Sequence, residues 1–389
     1  MTRTEADDVA LKLLHTADWH LGRRFPSFDP NDQIKLSRAR LDVLDRILKA
    51  ADYHGADAIL CAGDLFDEPS PEREWWEPVA SKLARQPSGR PIFLLPGNHD
   101  PLQPGSVYDR AHPFRGLLPP WVHVVDRDDF RYELNELATL YARPCRSRAG
   151  QDDPAMALPA REPGDTRIRI GMVHGSTFDY VECQTNFPIA KDAAARRGFD
   201  YLAIGDTHSF RNVPDDARPP VVYPGAPEAT TFGEPGAGNV VTVFVTRSRK
   251  VTFHPERVAA WTWTEHTVRT LEELRVLQTD PKLSRCVLRL SLELRLSAPE
   301  LEEAENILTA LKGTSASHGR VGVLQLDRDG MVLDTRTLDE DLQDLPEVLR
   351  ATIQRLKAKE AEALAAGDDP EVARAALFHL YKLVREARV

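Results

Sequence analysis

The sequence predicts a layered α/β domain with two packed sheets, followed by a small strand–helix–strand module and a helical tail. Three observations predict it. From residue 11 to about 255, short apolar runs alternate with polar punctuation, helical patterns and loops. Early strands in that span alternate with helices, while later ones follow in quicker succession. From 286 a two-residue alternation takes over, and from 345 the spacing is helical.

Residues 12–16 read as the first strand. Leu41, Leu44, Ile47, Leu48 and Ala51 then recur at helical spacing, with Gly55 where a helix stop belongs. "DAILCAGD" (57–64) and "PIFLLPGNHD" (91–100) carry the next two strands. Apolar runs follow at 122–125, 138–141, 168–174, 201–205, 221–223 and 240–245. The stretch 146–165, rich in Pro, Ala and charge, reads as a loop or surface excursion.

In "CVLRLSLELRL" (286–296) the even positions are Cys or Leu and the odd ones from 289 are Arg, Ser, Glu and Arg, which describes a half-buried strand. Ser297 and Glu300 form a capping box that opens a helix with Leu301, Ala304, Ile307, Leu308 and Leu311 on one face. Gly313 ends it, and 320–327 reads as a return strand. In the tail, Leu345, Leu349, Ile353 and Leu356 form one stripe; Val372, Ala376, Leu380 and Val384 form a second after "GDDP", flanked by Leu377 and Tyr381. Such helices either pack on their own domain or dock onto helices of a partner.

A length of 389 residues fits two or three domains, and we divide the chain at 1–265, 266–338 and 339–389. Cys61, Cys145, Cys183 and Cys286 are scattered without a C-x-x-C pair, which argues against a disulfide framework or structural zinc and fits a cytoplasmic protein. Neither a signal peptide nor a membrane span is expected. The net charge of −10 lowers the rank of proteins that hold nucleic acid through a basic surface. It leaves room for a nucleic-acid enzyme in which metal ions and a few local arginines meet the phosphates.

Strand ends repeatedly deliver metal-ligand residue types. Asp18 and His20 follow the first strand, Asp64 the second, and Asn98, His99 and Asp100 the third; His174 ends a later strand, and Asp206 and His208 the next. In open α/β sheets the functional crevice lies outside the carboxyl ends of the strands. Gly63, Gly97, Gly175 and Gly205 adjoin these residues and allow tight turns beside a ligand. Taken singly, Asp18 could be a turn cap and His20 a surface histidine; the ordered set D-x-H, GD-x-x-D, GNHD, H-G, GD-x-H argues for a metal centre.

That set resembles the calcineurin-like metallophosphoesterases. "LHTADWHLG", "AGDLFDEPSP" and "LLPGNHD" are similar in particular to nuclease subunits of SbcD type, which repair DNA ends with an SbcC-type ATPase; the YhaO-like branch is also similar. The resemblance implies a four-layer α/β/β/α sandwich with a small α+β capping domain and a C-terminal helical region where the ATPase coiled coil docks. It implies two Mn²⁺ ions, with Mg²⁺ as the alternative. One would be held by Asp18, His20, Asp64 and His208, the other by Asp64, Asn98, His174 and Asp206. His99 would assist the leaving oxygen, with Asp100 orienting its ring, although a structural hydrogen bond is the alternative for His99. The family pattern is usually G-H-x-H where this chain has Asp206, a harder and more anionic ligand. "VVYPGAPEATTFGE" (221–234) resembles the segment bordering the active site and suggests Tyr223 as a substrate contact. Arg23 and Arg24 fit either a contact to a backbone phosphate or an ordinary surface pair.

The leading reading is thus a Mn²⁺-dependent DNA exonuclease or endonuclease of DNA repair, partnered by DNA, an SbcC-type ATPase and a second copy of itself, with no membrane. The alternatives are a phosphoesterase acting on a small nucleotide and a weakly active DNA-end-binding subunit.

Overall fold

The computed structural model describes residues 8–86, 89–177, 186–314, 317–334, 345–366 and 370–386. Two compact units divide between Trp261 and Thr262. The expected boundary at 265/266 falls four residues further on; the one at 338/339 lies outside the described residues, as does Cys183. Among the described residues no helix is long and apolar enough to cross a membrane; Cys61 and Cys145 are buried free thiols, and Cys286 is buried as well.

The first unit begins with β1 (Val9–Thr16), α1 (Pro30–His54), β2 (Ala58–Cys61), α2 (Arg73–Ala84), β3 (Ile92–Leu94), α3 (Pro113–Leu117) and β4 (Val122–Val124). It continues with β5 (Phe130–Asn135), β6 (Ala138–Ala142), β7 (Ile168–His174), α4 (Ala193–Arg197), β8 (Tyr201–Gly205), β9 (Arg211–Asn212), β10 (Val221–Tyr223), β11 (Asn239–Thr246) and β12 (Val251–Arg257). Two six-stranded sheets result, ordered β12-β11-β1-β2-β3-β4 and β5-β6-β7-β8-β10-β9.

The period of two along each strand assigns side chains to layers. Leu11 and Leu13, Leu60, Phe93, Ile170, Met172 and Tyr201 fill the space between the sheets. The intervening Leu14, Ile59, Cys61, Ile92 and Leu94 face the other way and pack on Val43, Leu44 and Ile47 of α1 and on Trp76, Val79 and Leu83 of α2. On the second sheet, Val173, Leu202 and Ile204 point outward onto Ala193 and Ala194 of α4 and onto Ala155 and Leu158. The 146–165 excursion therefore covers a sheet face. α1 starts at Asp29, whose side chain accepts from the Asp32 N–H, and stops where expected: Gly55 adopts φ 59°.

Strands β1 to β4 are mutually parallel, as are β6, β7 and β8. The carboxyl ends of β1, β2 and β3 thus share one edge, and those of β7 and β8 share another. Pairing continues past the strands, with the Asp18 N–H donating to the Gly63 carbonyl at 3.0 Å and the Gly175 N–H to that of Gly205 at 3.2 Å.

The second unit contains β13 (Thr262–Val268), α5 (Leu271–Gln278), β14 (Cys286–Leu292), α6 (Ala298–Lys312), β15 (Val323–Asp327), α7 (Glu347–Ala366) and α8 (Glu371–Glu386). β14 lies between β13 and β15, parallel to both. Leu288, Leu290, Leu292, Leu294 and Leu296 share one core with Leu301, Ala304, Ile307, Leu308 and Leu311 of α6, and the Ser297 N–H donates to Glu300 Oε2 at 2.8 Å. Leu345, Ile353, Leu377 and Phe378 join that same core.

The second tail stripe needs correction. Val372 is 80 % exposed, whereas Leu377 and Phe378 are buried and Leu380 packs beside them. The face of α8 that meets the core is rotated away from Val372; the side chains of Tyr381 and Val384 lie outside the described residues.

Candidate metal centre

Where the two carboxyl edges meet, the backbone is held in an uncommon region. Asp18 (φ 56°), His20 (φ 44°), Asp64 (φ 53°) and Asp206 (φ 110°) all have positive φ, among only six non-glycine residues of the described chain that do. Such conformations are costly and cluster where a side chain must be aimed. Two glycines make room for the arrangement. A Cβ on Gly63 would stand 2.1 Å from His174 Nδ1, and one on Gly97 would stand 2.2 Å from Asp64 Oδ1.

Three groups of donors converge within 4.8 Å of one another: Asp18, His20 and His208; His20, Asp64 and His99; Asp18, Asp64 and His174. Asp64 Oδ2 lies 3.7 Å from His20 Nε2 and 3.4 Å from His174 Nε2, between the two halves of the site. Asn98 Oδ1 is 2.8 Å from His174 Nε2, and Asp206 Oδ1 is 3.9 Å from the same nitrogen. The Ser176 hydroxyl donates to the other oxygen of Asp206, and the Asp206 N–H donates to Asp18 Oδ1 at 3.0 Å.

The imidazoles supply the test of whether a cation fits. His20 Nδ1 meets Asp67 Oδ1 at 2.9 Å, His174 Nδ1 the Ala62 carbonyl at 2.8 Å, and His208 Nδ1 Glu234 Oε1 at 2.7 Å. Each of those partners is an acceptor, so each ring carries its hydrogen on Nδ1 and turns the Nε2 lone pair inward. His20 Nε2 and His208 Nε2 then stand 3.0 Å apart, lone pair against lone pair. His174 Nε2 faces only oxygens. A proton or a cation among these atoms would relieve both contacts, and the mixed nitrogen and oxygen donors suit a divalent metal ion.

Electrostatics agree. Burial pushes the Asp18 carboxyl up to about 7. Burial would raise Asp64 as well, but His174, His20 and His99 beside it hold it well below the usual carboxylate range. His174 is raised, its burial outweighed by Asp64, Asp18 and Asp206. At His20, by contrast, burial wins and lowers the imidazole to about 4, so the positive charge gathers at His174 beside Asp64.

The remaining expected residues divide. His99 stands at the rim, 39 % exposed, its Nδ1 3.1 Å from the Asp67 carbonyl and its ring edge-on to His20. Asp100 does not orient it. The Asp100 carboxylate is fully buried and accepts from the N–H groups of Phe66 and Gly97, both at 2.9 Å, and from the Tyr108 hydroxyl at 3.0 Å. It clamps the β2 and β3 exit loops together. Tyr223 is not a substrate contact either, being wholly buried. Its hydroxyl donates to the Gly175 carbonyl and accepts from the Thr177 N–H, each at 2.9 Å, so it shapes the loop after His174. Arg23 reaches Asp67 at 3.4 Å beside the centre, whereas Arg24 is 82 % exposed and turned to Glu72 at 3.7 Å.

Sequence reasoning missed Asp67, Glu234 and Arg40. Asp67 and Glu234 lay within quoted motifs but could not be linked to histidines 47 and 26 residues away. Arg40 left a signal, a charge between Leu36 and Leu44 on the buried face of α1. Fully buried, it donates to the carbonyls of Trp19 at 3.0 Å and Ala229 at 2.6 Å, tying the Asp18–His20 turn to the segment that carries Glu234.

Comparison with known proteins is consistent with this geometry. Residues 11–210 match the model of the calcineurin-like phosphoesterases. The chain is 27 % identical over 244 residues to the "uncharacterized metallophosphoesterase YhaO" of Bacillus subtilis (strain 168), covering 61 % of this chain and 58 % of that one. It is 38 % identical over 174 residues to a nuclease SbcCD subunit of Rhodobacter capsulatus, covering 43 % and 39 %. It is 23 % identical over 237 residues to the DNA double-strand break repair protein Mre11 of Methanopyrus kandleri, covering 58 % and 50 %. The chain thus spans less than two thirds of the length of each of these relatives.

Proposed function

Since the chain belongs to the calcineurin-like phosphoesterase family, we propose that it is a divalent-metal-dependent phosphodiesterase and that its substrate is DNA. The observation that carries the reading is the convergence of three Nε2 lone pairs on buried carboxylates, each ring fixed from behind by an acceptor. On this reading Asp18, His20, Asp64 and His208 hold one Mn²⁺ and Asp64, Asn98, His174 and Asp206 the other, with Asp64 shared and Mg²⁺ as an alternative. Bound ions supply charge against the phosphoryl oxygens and lower the pKa of water.

The chain's own groups do the rest. Asp18, His20, Asp64 and His174 are each at most 2 % exposed, which keeps the donors dry and strengthens their fields. His99 donates from Nδ1 to the Asp67 carbonyl, so its Nε2 is the atom that takes up a proton and delivers it to the leaving oxygen. Its exposure at the rim matches that role. Asp100, two residues from Asn98, acts on the loop and not on the proton. Arg23, at the edge of the site, is placed for a neighbouring backbone phosphate.

DNA as substrate is supported by the names of two relatives, the subunit of nuclease SbcCD and the DNA double-strand break repair protein Mre11. The former name, that of one subunit of a nuclease, also supports a partner subunit; we propose an SbcC-type ATPase in that place, with α7 and α8 as its docking region, and a dimeric state. Degradation of linear duplex and single-stranded DNA with Mn²⁺ tests the proposal, run beside a small generic phosphodiester. Cleavage of DNA supports it; cleavage of the small ester alone leaves a phosphodiesterase for small nucleotides. His99→Ala should lower turnover about 10²–10⁴-fold while leaving metal binding intact.

A further inference from the structure

Behind the proposed ligand shell, the histidines are not backed alike. His20 and His208 each give their Nδ1 hydrogen to a carboxylate, Asp67 and Glu234, whereas His174 gives its own to the neutral Ala62 carbonyl. Glu234 is itself held with care. The Thr230 N–H donates to Glu234 Oε2 at 2.7 Å and the Thr230 hydroxyl to Oε1 at 2.5 Å, and that hydroxyl also stands 2.9 Å from His208 Nδ1. The Glu234 side chain is only 11 % exposed. A carboxylate behind an imidazole fixes its tautomer and raises the basicity of the inward nitrogen. On the opposite side of Asp64, Asn98 offers a neutral amide oxygen and Asp206 has one oxygen engaged by Ser176.

We propose that Glu234, held by Thr230, is the positioning residue for His208, and that with Asp67 it makes the Asp18–His20–His208 position the tighter of two unequal metal positions. The inference rests on the metal-centre reading above. No step of the hydrolysis is asked of Glu234; it acts through the orientation and basicity of His208.

The experiment is Mn²⁺ titration of the metal-free full chain, followed by calorimetry and by the electron paramagnetic resonance of free Mn²⁺. The wild type should bind in two steps of different affinity. Glu234→Gln keeps the shape but loses the charge, and should weaken the tight step about 10–100-fold while leaving the weak step in place. Thr230→Val should weaken the same step less, and Glu234→Asp should restore part of it. Melting of each metal-free variant separates folding from binding. Two wild-type steps with Glu234→Gln unchanged, or with both steps weakened equally, would overturn the inference alone. A wild type that binds no Mn²⁺ would overturn the metal-centre reading with it.

Discussion

At the residue scale, the site depends on atoms that have no room to move. A side chain at Gly97 would displace Asp64, the carboxylate shared by both halves, so Gly97→Ala should lower Mn²⁺ affinity at least about 10–100-fold, the effect of disturbing a ligand's support; equilibrium dialysis measures it. A second residue makes stability depend on pH on the acid side. His15 is fully buried between the sheets, its Nδ1 2.9 Å from the Tyr201 hydroxyl, and burial lowers its pKa to about 3. Below the unfolded value of 6.5 the unfolded chain takes a proton that the folded chain refuses, so stability falls as pH falls from about 6.5 towards 3. Between pH 7.5 and 5 this contributes about 2 kcal/mol, and urea unfolding of His15→Gln should show an acid loss smaller by that amount. The ligand types were legible in the sequence because each follows an apolar strand. The roles of Asp100 and Tyr223 were not, because a polar residue beside a ligand reads the same whether it faces the site or the loop behind it.

At the element scale, legibility followed burial. Strands β7, β8 and β10, buried throughout, have the limits their apolar runs suggested. β5 and β12 went unread because they lie at sheet edges and carry charge or Pro255, although Phe130, Tyr132 and Leu134, and Val251 and Phe253, keep the inward alternation. In α8 the expected Leu380 and flanking Leu377 do meet the core, whereas Val372 fits the same helical spacing and is exposed, because only the core to be covered chooses among such residues. In the second unit, Leu290 is fully buried at the middle of β14. Leu290→Ala should cost about 2–5 kcal/mol in that unit's denaturant unfolding.

At the scale of the whole molecule, every proposed ligand lies in the first unit, before Trp261, and each unit has cores of its own. A chain ending at Trp261 should therefore fold and bind Mn²⁺ with the affinity of the full chain, which circular dichroism and the same titration check. The sequence carried the sandwich well because strands covered on both faces read as continuous apolar runs. It carried the extent of the second unit less well, because the amphipathic tail helices do not state which core they cover. The central claim is that the buried centre around Asp64 performs metal-dependent phosphodiester hydrolysis. The most direct test is Mn²⁺-dependent degradation of linear DNA by the wild type beside Asp64→Ala. We predict cleavage by the wild type and a loss of at least about 100-fold in the variant, since several kcal/mol of charge stabilisation depend on the ions it shares. Equal rates in the two proteins, or a wild type inert towards DNA and a generic phosphodiester alike, would contradict the account.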